Sequence, residues 1–241
     1  MIPSPESNDG KVAIVTGASQ GIGASLTSAY RELGYAVIAT ARSIAPSEDS
    51  GVVTIGGDIA DPETAQRVVE EAVKRFGRID TLINNAGIYI GKPFTDYTIE
   101  DFNALVAVNL TGFFHITTRT IKHMLDKSQG HVVNVSTTLV EQADSGRPAA
   151  LSVLTKGGLV AATKSLAIEY ASRGVRVNAV SLGVIKTAVH DASSYAGMDA
   201  LHPIGRVGEI EDVVGGILYL ESASFVTGEI LHIDGGQSAG H

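Results

Sequence analysis

The sequence predicts a single α/β domain built on a doubly wound parallel sheet of about seven strands, with helices on both faces. Short β-branched runs alternate with longer helical patterns along the chain. Most of these runs are continuously apolar, as in a parallel sheet that is covered on both faces. Such alternation implies right-handed crossovers. The predicted strands are residues 12–16, 36–40, 52–55, 81–84, 131–136, 175–180 and 230–233.

The helical patterns lie between these strands, and several carry their own start and stop signals. Asp61 followed by Pro62 predicts a helix start, with a capping side chain and then proline at the first helical position. Gly34, Gly77 and Gly174 stand where helices should end. The predicted helices are residues 22–33, 62–76, 101–125, 152–173 and 209–221.

Length and composition limit the classes of protein that this chain can belong to. Its 241 residues fit one compact domain over 11–241, preceded by a polar, flexible tail at 1–10. The formal charge of −8 argues against nucleic acid as a partner. The sequence contains no run of about 18 apolar residues, so it predicts no membrane span. Without cysteine or a signal-peptide pattern, we expect a cytoplasmic protein.

A glycine-rich turn follows the first predicted strand directly, at residues 16–23 (TGASQGIG). Small residues at such a turn let the backbone approach a pyrophosphate, and the next helix offers its N-terminal N–H groups. A tight turn without a ligand would show a similar pattern, so this motif by itself leaves both interpretations open.

Four further motifs follow in order. Residues 84–87 read NNAG, Asn109 stands in a VNLTG segment, residues 176–183 read RVNAVSLG, and the chain ends with VTG and DGG at 226–228 and 234–236. With the glycine turn they extend from about residue 11 to 236. The sequence resembles the short-chain dehydrogenase/reductase family, which implies a Rossmann-type fold and an oxidoreductase that acts on carbonyl and alcohol groups.

The resemblance implies a set of residues around a nicotinamide dinucleotide: Gly17, Ser19, Gln20, Gly21, Ile22, Gly23, Asp58, Ile59, Asn85, Ala86, Gly87, Lys156, Gly183, Ile185 and Thr187. It places the pyrophosphate at the glycine turn, the adenine at Asp58, and the nicotinamide ribose at Lys156. Each residue also has a plainer explanation. Asp58 could cap a turn, and Asn84 or Asn85 could tie a loop to the sheet.

The end of the second strand bears on the choice between NADP(H) and NAD(H). An acidic residue there would bind the ribose 2′-hydroxyl, whereas an arginine would accept a 2′-phosphate. The sequence has no carboxylate at Ala41 and continues with Arg42, a permanently charged donor suited to phosphate. We therefore expect NADP(H) to be preferred, with NAD(H) as the alternative.

The resemblance also supplies a catalytic frame: Asn109, Thr137, Ser152 and Lys156. The family keeps a tyrosine four residues before the lysine, which lowers the tyrosine pKa and makes it a useful proton donor. In this chain that position is Ser152. Thr137 matches the family's oxygen-polarising serine, with Thr138 as its rival.

Ser152 lacks the acidity and reach of a phenol, so proton delivery must be altered or lost. Tyr89, His190, Tyr195 and His202 are candidate replacements, although each has an ordinary packing or surface explanation. Three hypotheses remain open: an oxidoreductase with altered proton delivery, a silent nicotinamide-binding protein acting as a sensor or assembly subunit, and an ordinary reductase that has lost its tyrosine. The histidines are too scattered to predict a metal site.

The substrate is expected to be a small carbonyl or alcohol. Its site would be formed by the 138–151 loop and by a lid at 187–204, and Glu141, Asp144 or Arg147 could contact a polar substrate. The resemblance finally implies a homotetramer, assembled through the helices near 102–125 and 152–173 and the C-terminal segment.

Overall fold

Seven parallel strands form one sheet, in the order β3-β2-β1-β4-β5-β6-β7. The computed structural model describes residues 10–187, 195 and 197–240. The strands are β1 (Val12–Thr16), β2 (Ala36–Ala41), β3 (Val52–Gly56), β4 (Thr81–Asn84), β5 (Gly130–Thr137), β6 (Val175–Leu182) and β7 (Ile230–Ile233). The predicted fold class is confirmed. Strands β2, β3, β5 and β6 end one or two residues later than predicted, which brings Thr137 into β5.

Helices cover both faces of the sheet. They are α1 (Gly21–Glu32), α2 (Pro62–Phe76), α3 (Ile99–Leu105), α4 (Phe113–Asp126), α5 (Ala150–Tyr170) and α6 (Ile210–Ser222). Helices α1 and α6 bury Leu26, Tyr30 and Ile217 against one face. Helices α2, α4 and α5 close the other face with a second apolar cluster. This two-sided burial explains why the strands read as continuous apolar runs.

The predicted start and end of α2 are confirmed at both termini. The Asp61 side chain accepts a hydrogen bond from the Glu63 N–H at 2.9 Å, and Pro62 is the first helical residue. Gly77 ends the helix with φ of 71°, in the left-handed region that glycine adopts without steric cost.

The single helix predicted over 101–125 is wrong in detail. The structure has α3, then a π-helical turn at Val106–Gly112, and then α4. A π-helical turn differs from an α-helix in its backbone hydrogen bonds, which run from i to i+5, and no residue type in this stretch marks that change in the sequence. Helix α5 begins two residues before the predicted start, and its last predicted turn is a 3₁₀ helix at Ala171–Arg173.

A buried polar cluster lies beneath the sheet, at the amino ends of β4 and β5. The Glu221 carboxylate near the end of α6 accepts hydrogen bonds from the hydroxyls of Tyr30, Tyr35 and Thr81, each at 3.0 Å. His131 Nδ1 is a fourth partner at 2.8 Å. The cluster joins α1, α6 and the sheet on the side opposite to the glycine turn.

The chain order makes β1 and β4 neighbours, with β2 and β3 to one side and β5, β6 and β7 to the other. In open α/β sheets, ligands bind beyond the carboxyl ends of the strands at this reversal. The glycine turn follows β1 and the NNAG segment follows β4, so both motifs meet at this point.

Helix α5 continues into its 3₁₀ turn as an apolar stretch, Ala150–Arg173. Among the described residues, this is the one helix that is long and apolar enough to cross a membrane. Here it packs on β5 and β6, as the core helix of an α/β domain does. Of the predicted tail, residues 1–9 lie outside the described residues, as do 188–194 and 196 of the predicted lid.

Candidate active site

A cavity of about 870 Å³ opens at the reversal point between β1 and β4. It is lined by Gly17, Ser19, Gln20, Gly21, Ile22, Thr40, Ala41, Arg42, Ser43, Gly57, Asp58, Ile59, Asn85, Ala86, Gly87, Ile88, Val108 and Thr187. Most of the residues expected to contact the cofactor are therefore brought together. We call this space the dinucleotide cavity.

The glycine turn packs so closely at Gly17 and Gly23 that a side chain would not fit at either position. A Cβ atom at Gly23 would lie 2.2 Å from the Gly17 carbonyl oxygen, and Gly17 itself has φ of +66°. The Asn85 side chain donates to the carbonyls of Thr16 and Gly17, at 2.9 and 3.2 Å. Gly23 thus allows the close packing of the turn and does not line the cavity. Asn85 ties the loop, which is its plainer explanation, and it also lines the cavity, while its contact with a cofactor stays a prediction.

The adenine end carries Asp58 and Arg42. Asp58 accepts a hydrogen bond from the Ala60 N–H at 2.9 Å, which is the turn-capping alternative, yet it also lines the cavity. Arg42 is exposed at the cavity rim beside Ser43. No carboxylate follows β2 there, so the rim presents an exposed guanidinium of the kind that suits a ribose 2′-phosphate.

Lys156 lies directly behind Gly87, where a Cβ atom would be 2.7 Å from its Nζ. The ammonium donates a hydrogen bond to the Val135 carbonyl at 2.8 Å. Burial lowers the pKa of Lys156 to about 8, because a charged amine loses its hydration there. Lys156 lines neither cavity, so its contact with the nicotinamide ribose stays a prediction.

Asn109 sits in the π-helical turn and is 1% exposed. Its amide nitrogen donates to the Ile88 carbonyl and to the Thr155 hydroxyl, both at 3.0 Å, and its oxygen accepts from the Ile88 N–H at 2.9 Å. Asn109 therefore fixes the chain just after the NNAG segment. In this geometry it positions the site and does not line either cavity.

A second cavity of about 280 Å³ lies beyond the ends of β5 and β6. Its lining is Tyr89, Thr137, Thr138, Leu139, Arg147, Gly183, Val184, Ile185, Tyr195, Met198 and Gln237. We call it the substrate cavity. It shares no lining residue with the dinucleotide cavity, and it contains Gly183 and Ile185, which were expected at the nicotinamide end.

Thr137 and Thr138 both line the substrate cavity, but their hydroxyls differ. Thr138 is 1% exposed, and its hydroxyl lies 3.1 Å from Gln237 Oε1 and 3.3 Å from the Leu182 carbonyl, so it has acceptors within the protein. The Thr137 oxygen accepts from the Leu139 N–H at 3.4 Å. This contact leaves the Thr137 hydroxyl hydrogen for a substrate oxygen, which favours Thr137 over its rival.

Ser152 is 1% exposed and lines neither cavity. Its hydroxyl donates to the Ile90 carbonyl and accepts from the Ile90 N–H, both at 2.9 Å. The hydroxyl hydrogen is therefore engaged with the backbone. This geometry gives Ser152 a structural contact at the position where the resemblance places a tyrosine, and its catalytic role stays a prediction.

The candidate replacement donors are placed very differently. Tyr89 lines the substrate cavity and is 56% exposed. The Tyr195 hydroxyl exchanges hydrogen bonds with the Thr187 backbone, at 2.9 Å from N and 3.0 Å from O. His202 is 2% exposed, and its Nδ1 donates to the Asp234 carbonyl at 2.7 Å. His202 does not line the cavity, and His190 lies outside the described residues.

Several residues around the site carry no signal in the sequence. The backbone of Ile90 holds Ser152, and Tyr97 donates to the same carbonyl at 2.7 Å. Met198 and Gln237 enter the substrate cavity from distant segments. These roles depend on loop paths that no local motif encodes. Among the described residues, no group of three or more histidine, aspartate or glutamate side chains is suited to a metal.

The fold and the glycine-lined cavity define a dinucleotide-binding α/β protein. A family model described as Enoyl-(Acyl carrier protein) reductase matches residues 17–238. A 3-oxoacyl-[acyl-carrier-protein] reductase, FabG, from Vibrio cholerae is 35% identical over 95% of this chain and 97% of its own. A 3beta-hydroxysteroid dehydrogenase 1 from Eggerthella lenta is 34% identical over 95% and 94%. The chain belongs to the short-chain dehydrogenase/reductase family, a family of oxidoreductases.

Solved structures agree with this assignment. The structure of ElxO with NADP bound superimposes with a TM-score of 0.87 and 30% identity, covering 95% of this chain and 99% of that one. A tyrosine-to-phenylalanine variant of ElxO, of equal similarity, was solved with NADPH bound. In that relative, NADPH binding survives the replacement of a tyrosine.

Proposed function

We propose that this protein transfers a hydride between NADP(H) and a small carbonyl or alcohol compound, with a proton path that does not use residue 152. The observation that carries the proposal is the adjacency of two separate cavities. One presents a glycine turn and Arg42, and the other presents the Thr137 hydroxyl. Thr187 on the first and Tyr195 on the second are joined by two hydrogen bonds.

NADP(H) is the preferred cofactor. Support comes from the exposed Arg42 at the end of β2, from the absence of a carboxylate among Thr40, Ala41, Arg42 and Ser43, and from the NADP-bound relative. When bound, NADPH supplies the hydride for the carbonyl carbon. The glycine turn would hold the pyrophosphate with backbone N–H groups, and Lys156 would bond the nicotinamide ribose.

Thr137 would polarise the substrate carbonyl by donating its hydroxyl hydrogen, and Tyr89 would deliver the proton. Burial raises the pKa of the Tyr89 phenol, and the Arg147 guanidinium opposes that rise. A phenol that remains protonated near neutral pH suits reduction, because the forming alkoxide is a much stronger base. The same property makes Tyr89 a poor base for oxidation of an alcohol at neutral pH.

A silent nicotinamide-binding protein is the second candidate function. It is favoured by Ser152, whose hydroxyl is buried and bonded to Ile90 at both its hydrogen and its oxygen. Ser152 lines neither cavity, so Lys156 would keep a cofactor role without a proton donor beside it. A loss of tyrosine from an ordinary reductase leads to the same expectation of binding without turnover.

One experiment separates these functions. NADPH affinity and NADPH-dependent reduction of an aldehyde and ketone panel are measured for the protein and for Tyr89→Phe, Tyr195→Phe and Ser152→Tyr. We expect slow turnover that falls about 10²–10⁴-fold in Tyr89→Phe, with NADPH affinity held within about twofold. An equal loss in Tyr195→Phe alone would move the acid role to Tyr195.

Other outcomes reject the reductase. Tight NADPH binding without turnover, followed by turnover in Ser152→Tyr, would support the silent-binding function and a lost tyrosine. Failure to bind either NADPH or NADH would contradict both functions.

The proposal includes a cytoplasmic homotetramer. Phe114 of α4 and Leu154 and Ile168 of α5 are exposed apolar side chains on the helices that the family resemblance assigns to assembly, and Phe225 is fully exposed in the C-terminal segment. Analytical ultracentrifugation should give a tetramer, and Leu154→Asp combined with Ile168→Asp should give a smaller species. A monomer before any substitution would contradict this part of the proposal.

A further inference from the structure

The substrate cavity carries one charged side chain, Arg147, among its described lining residues. Most of the remaining lining is apolar or aromatic, including Leu139, Val184, Ile185 and Met198. No carboxylate lines it within the described part of the chain, although the whole protein has a net charge of −8. A cavity of this kind favours a ligand with an apolar body and a negative end.

The guanidinium of Arg147 is only partly used by the protein. Its Nε donates to Asp144 Oδ2 at 2.8 Å, and the other Asp144 oxygen accepts from the Gly146 N–H at 2.8 Å. Nη2 is buried and has no hydrogen-bond partner among residues 10–187, 195 and 197–240. Buried donors normally have partners, because leaving one unmade costs about 1–3 kcal/mol.

Asp144 orients the guanidinium through Nε and leaves Nη2, which has no partner among the described residues, for another acceptor. Arg147 is partly buried, with 21% of its side chain exposed, so an anion beside it would be shielded from water. The planar fork of an arginine matches the two oxygens of a carboxylate. A neutral substrate would leave Nη2 without a partner, whereas a carboxylate would satisfy it.

We propose that Arg147 selects oxo acids or hydroxy acids, small substrates in which a carboxylate lies at one end and the reacting carbonyl or alcohol at the other. The inference rests on the proposed function only for the hydride transfer that would follow binding. The binding of a carboxylate at Arg147 stands independently of turnover. The cavity volume of about 280 Å³ is near the lower limit of ligand sites, which fits a short chain or one ring.

The test measures binding and turnover separately. Calorimetry on the protein with saturating NADP⁺ compares 4-oxopentanoate and 4-oxo-4-phenylbutanoate with their methyl esters, which differ from the acids in the charged end. The same pairs are then used as substrates with NADPH. The variants are Arg147→Gln and, as a matched control, Arg75→Gln. Like Arg147, Arg75 pairs with a nearby carboxylate, that of Glu71, but it lies on α2 and not at the substrate cavity.

At least one acid should bind about tenfold or more tightly than its ester, and Arg147→Gln should remove that difference while its NADPH affinity and thermal midpoint stay near those of the parent. Arg75→Gln should behave as the parent protein. Equal affinity for acid and ester, an acid preference that survives Arg147→Gln, or no binding of any pair would overturn the inference. Arg147-dependent acid binding without turnover would uphold it and reject the reductase.

Discussion

The hydroxyl of Ser152 and the backbone of Ile90 exchange two hydrogen bonds of 2.9 Å, one donated in each direction. Together they fasten the first turn of α5 to the loop that follows the NNAG segment. The contact uses the only hydrogen of the serine hydroxyl, and neither Ser152 nor Ile90 lines a cavity, so the contact holds the backbone beside the site. Where the family resemblance predicts a tyrosine, this chain therefore has a serine that makes a structural contact.

Ser152→Ala should lower the free energy of unfolding by about 1–3 kcal/mol, because the Ile90 N–H would lose its partner inside the protein. The Ile90 carbonyl would keep the Tyr97 hydroxyl. Chemical denaturation measures the change, and Ser28→Ala, at an exposed serine of α1 with a bond of 3.4 Å, is the control. Unchanged stability with a large loss of turnover would instead indicate that Ser152 acts in catalysis.

Arg42→Ala should weaken NADPH binding about tenfold or more and leave NADH binding nearly unchanged, because the 2′-phosphate alone needs the guanidinium. Fluorescence titration with both cofactors gives the ratio. Arg75→Ala, which removes an exposed arginine far from the cavity, controls for net charge. Equal weakening for both cofactors would contradict a phosphate contact at Arg42.

NADPH affinity should fall as pH rises through about 8, the pKa to which burial lowers Lys156. Below that pH the ammonium forms a charge-assisted bond to the ribose, and above it the neutral amine forms a weaker one. Dissociation constants measured from pH 6.5 to about 9.5 should rise several-fold, whereas Lys156→Met should bind weakly throughout. A parallel pH dependence in Lys156→Met would place the titrating group elsewhere.

Glu221 should make stability depend on acid pH. Burial alone would raise its pKa, but hydrogen bonds from His131, Tyr30 and Tyr35 outweigh burial and hold the pKa at about 2, below the usual 4.5. The folded state therefore gains stability above pH 4.5 and loses it as pH falls toward 2. Denaturation at pH 3 and pH 6 should show a smaller difference for Glu221→Gln than for the parent.

Glu221→Gln should also cost about 1–3 kcal/mol at pH 7, because an amide nitrogen cannot accept a hydrogen bond. The pKa and the hydrogen bonds of His131 are consistent with an ionised Glu221 carboxylate. Burial lowers its pKa, its Nδ1 donates to Glu221, and its Nε2 accepts from Asn178 at 3.1 Å. Glu211→Gln on the first turn of the same helix is the control, and equal stability of both variants would contradict this account.

The parts of the fold that follow local rules were predictable, and those that depend on packing were not. Asp61 and Gly77 set the ends of α2 through contacts within a few residues, so their roles could be read from the chain. The π-helical turn around Asn109 is a change in backbone hydrogen bonds that no residue type marks, so it could not be predicted. The glycine turn was predictable because Gly17 has a positive φ and a Cβ atom at Gly23 would meet the Gly17 carbonyl, and both limits lie within the motif.

The substrate cavity was less accessible to sequence reasoning. Met198 and Gln237 are separated by almost forty positions, yet both line it. The partner of Ser152 is a backbone group at Ile90, which any residue type would supply. Arg147 could be named as a candidate, but the burial of its Nη2 without a hydrogen-bond partner among the described residues depends on the folded path of the loop.

The separate linings of the two cavities bear on how this protein can be redesigned. Libraries at Leu139, Val184 and Met198 would alter one lining without touching a residue of the other. Substrate range and coenzyme choice should therefore be adjustable as independent traits. The exception is the Thr187 and Tyr195 pair, through which a change on one side reaches the other.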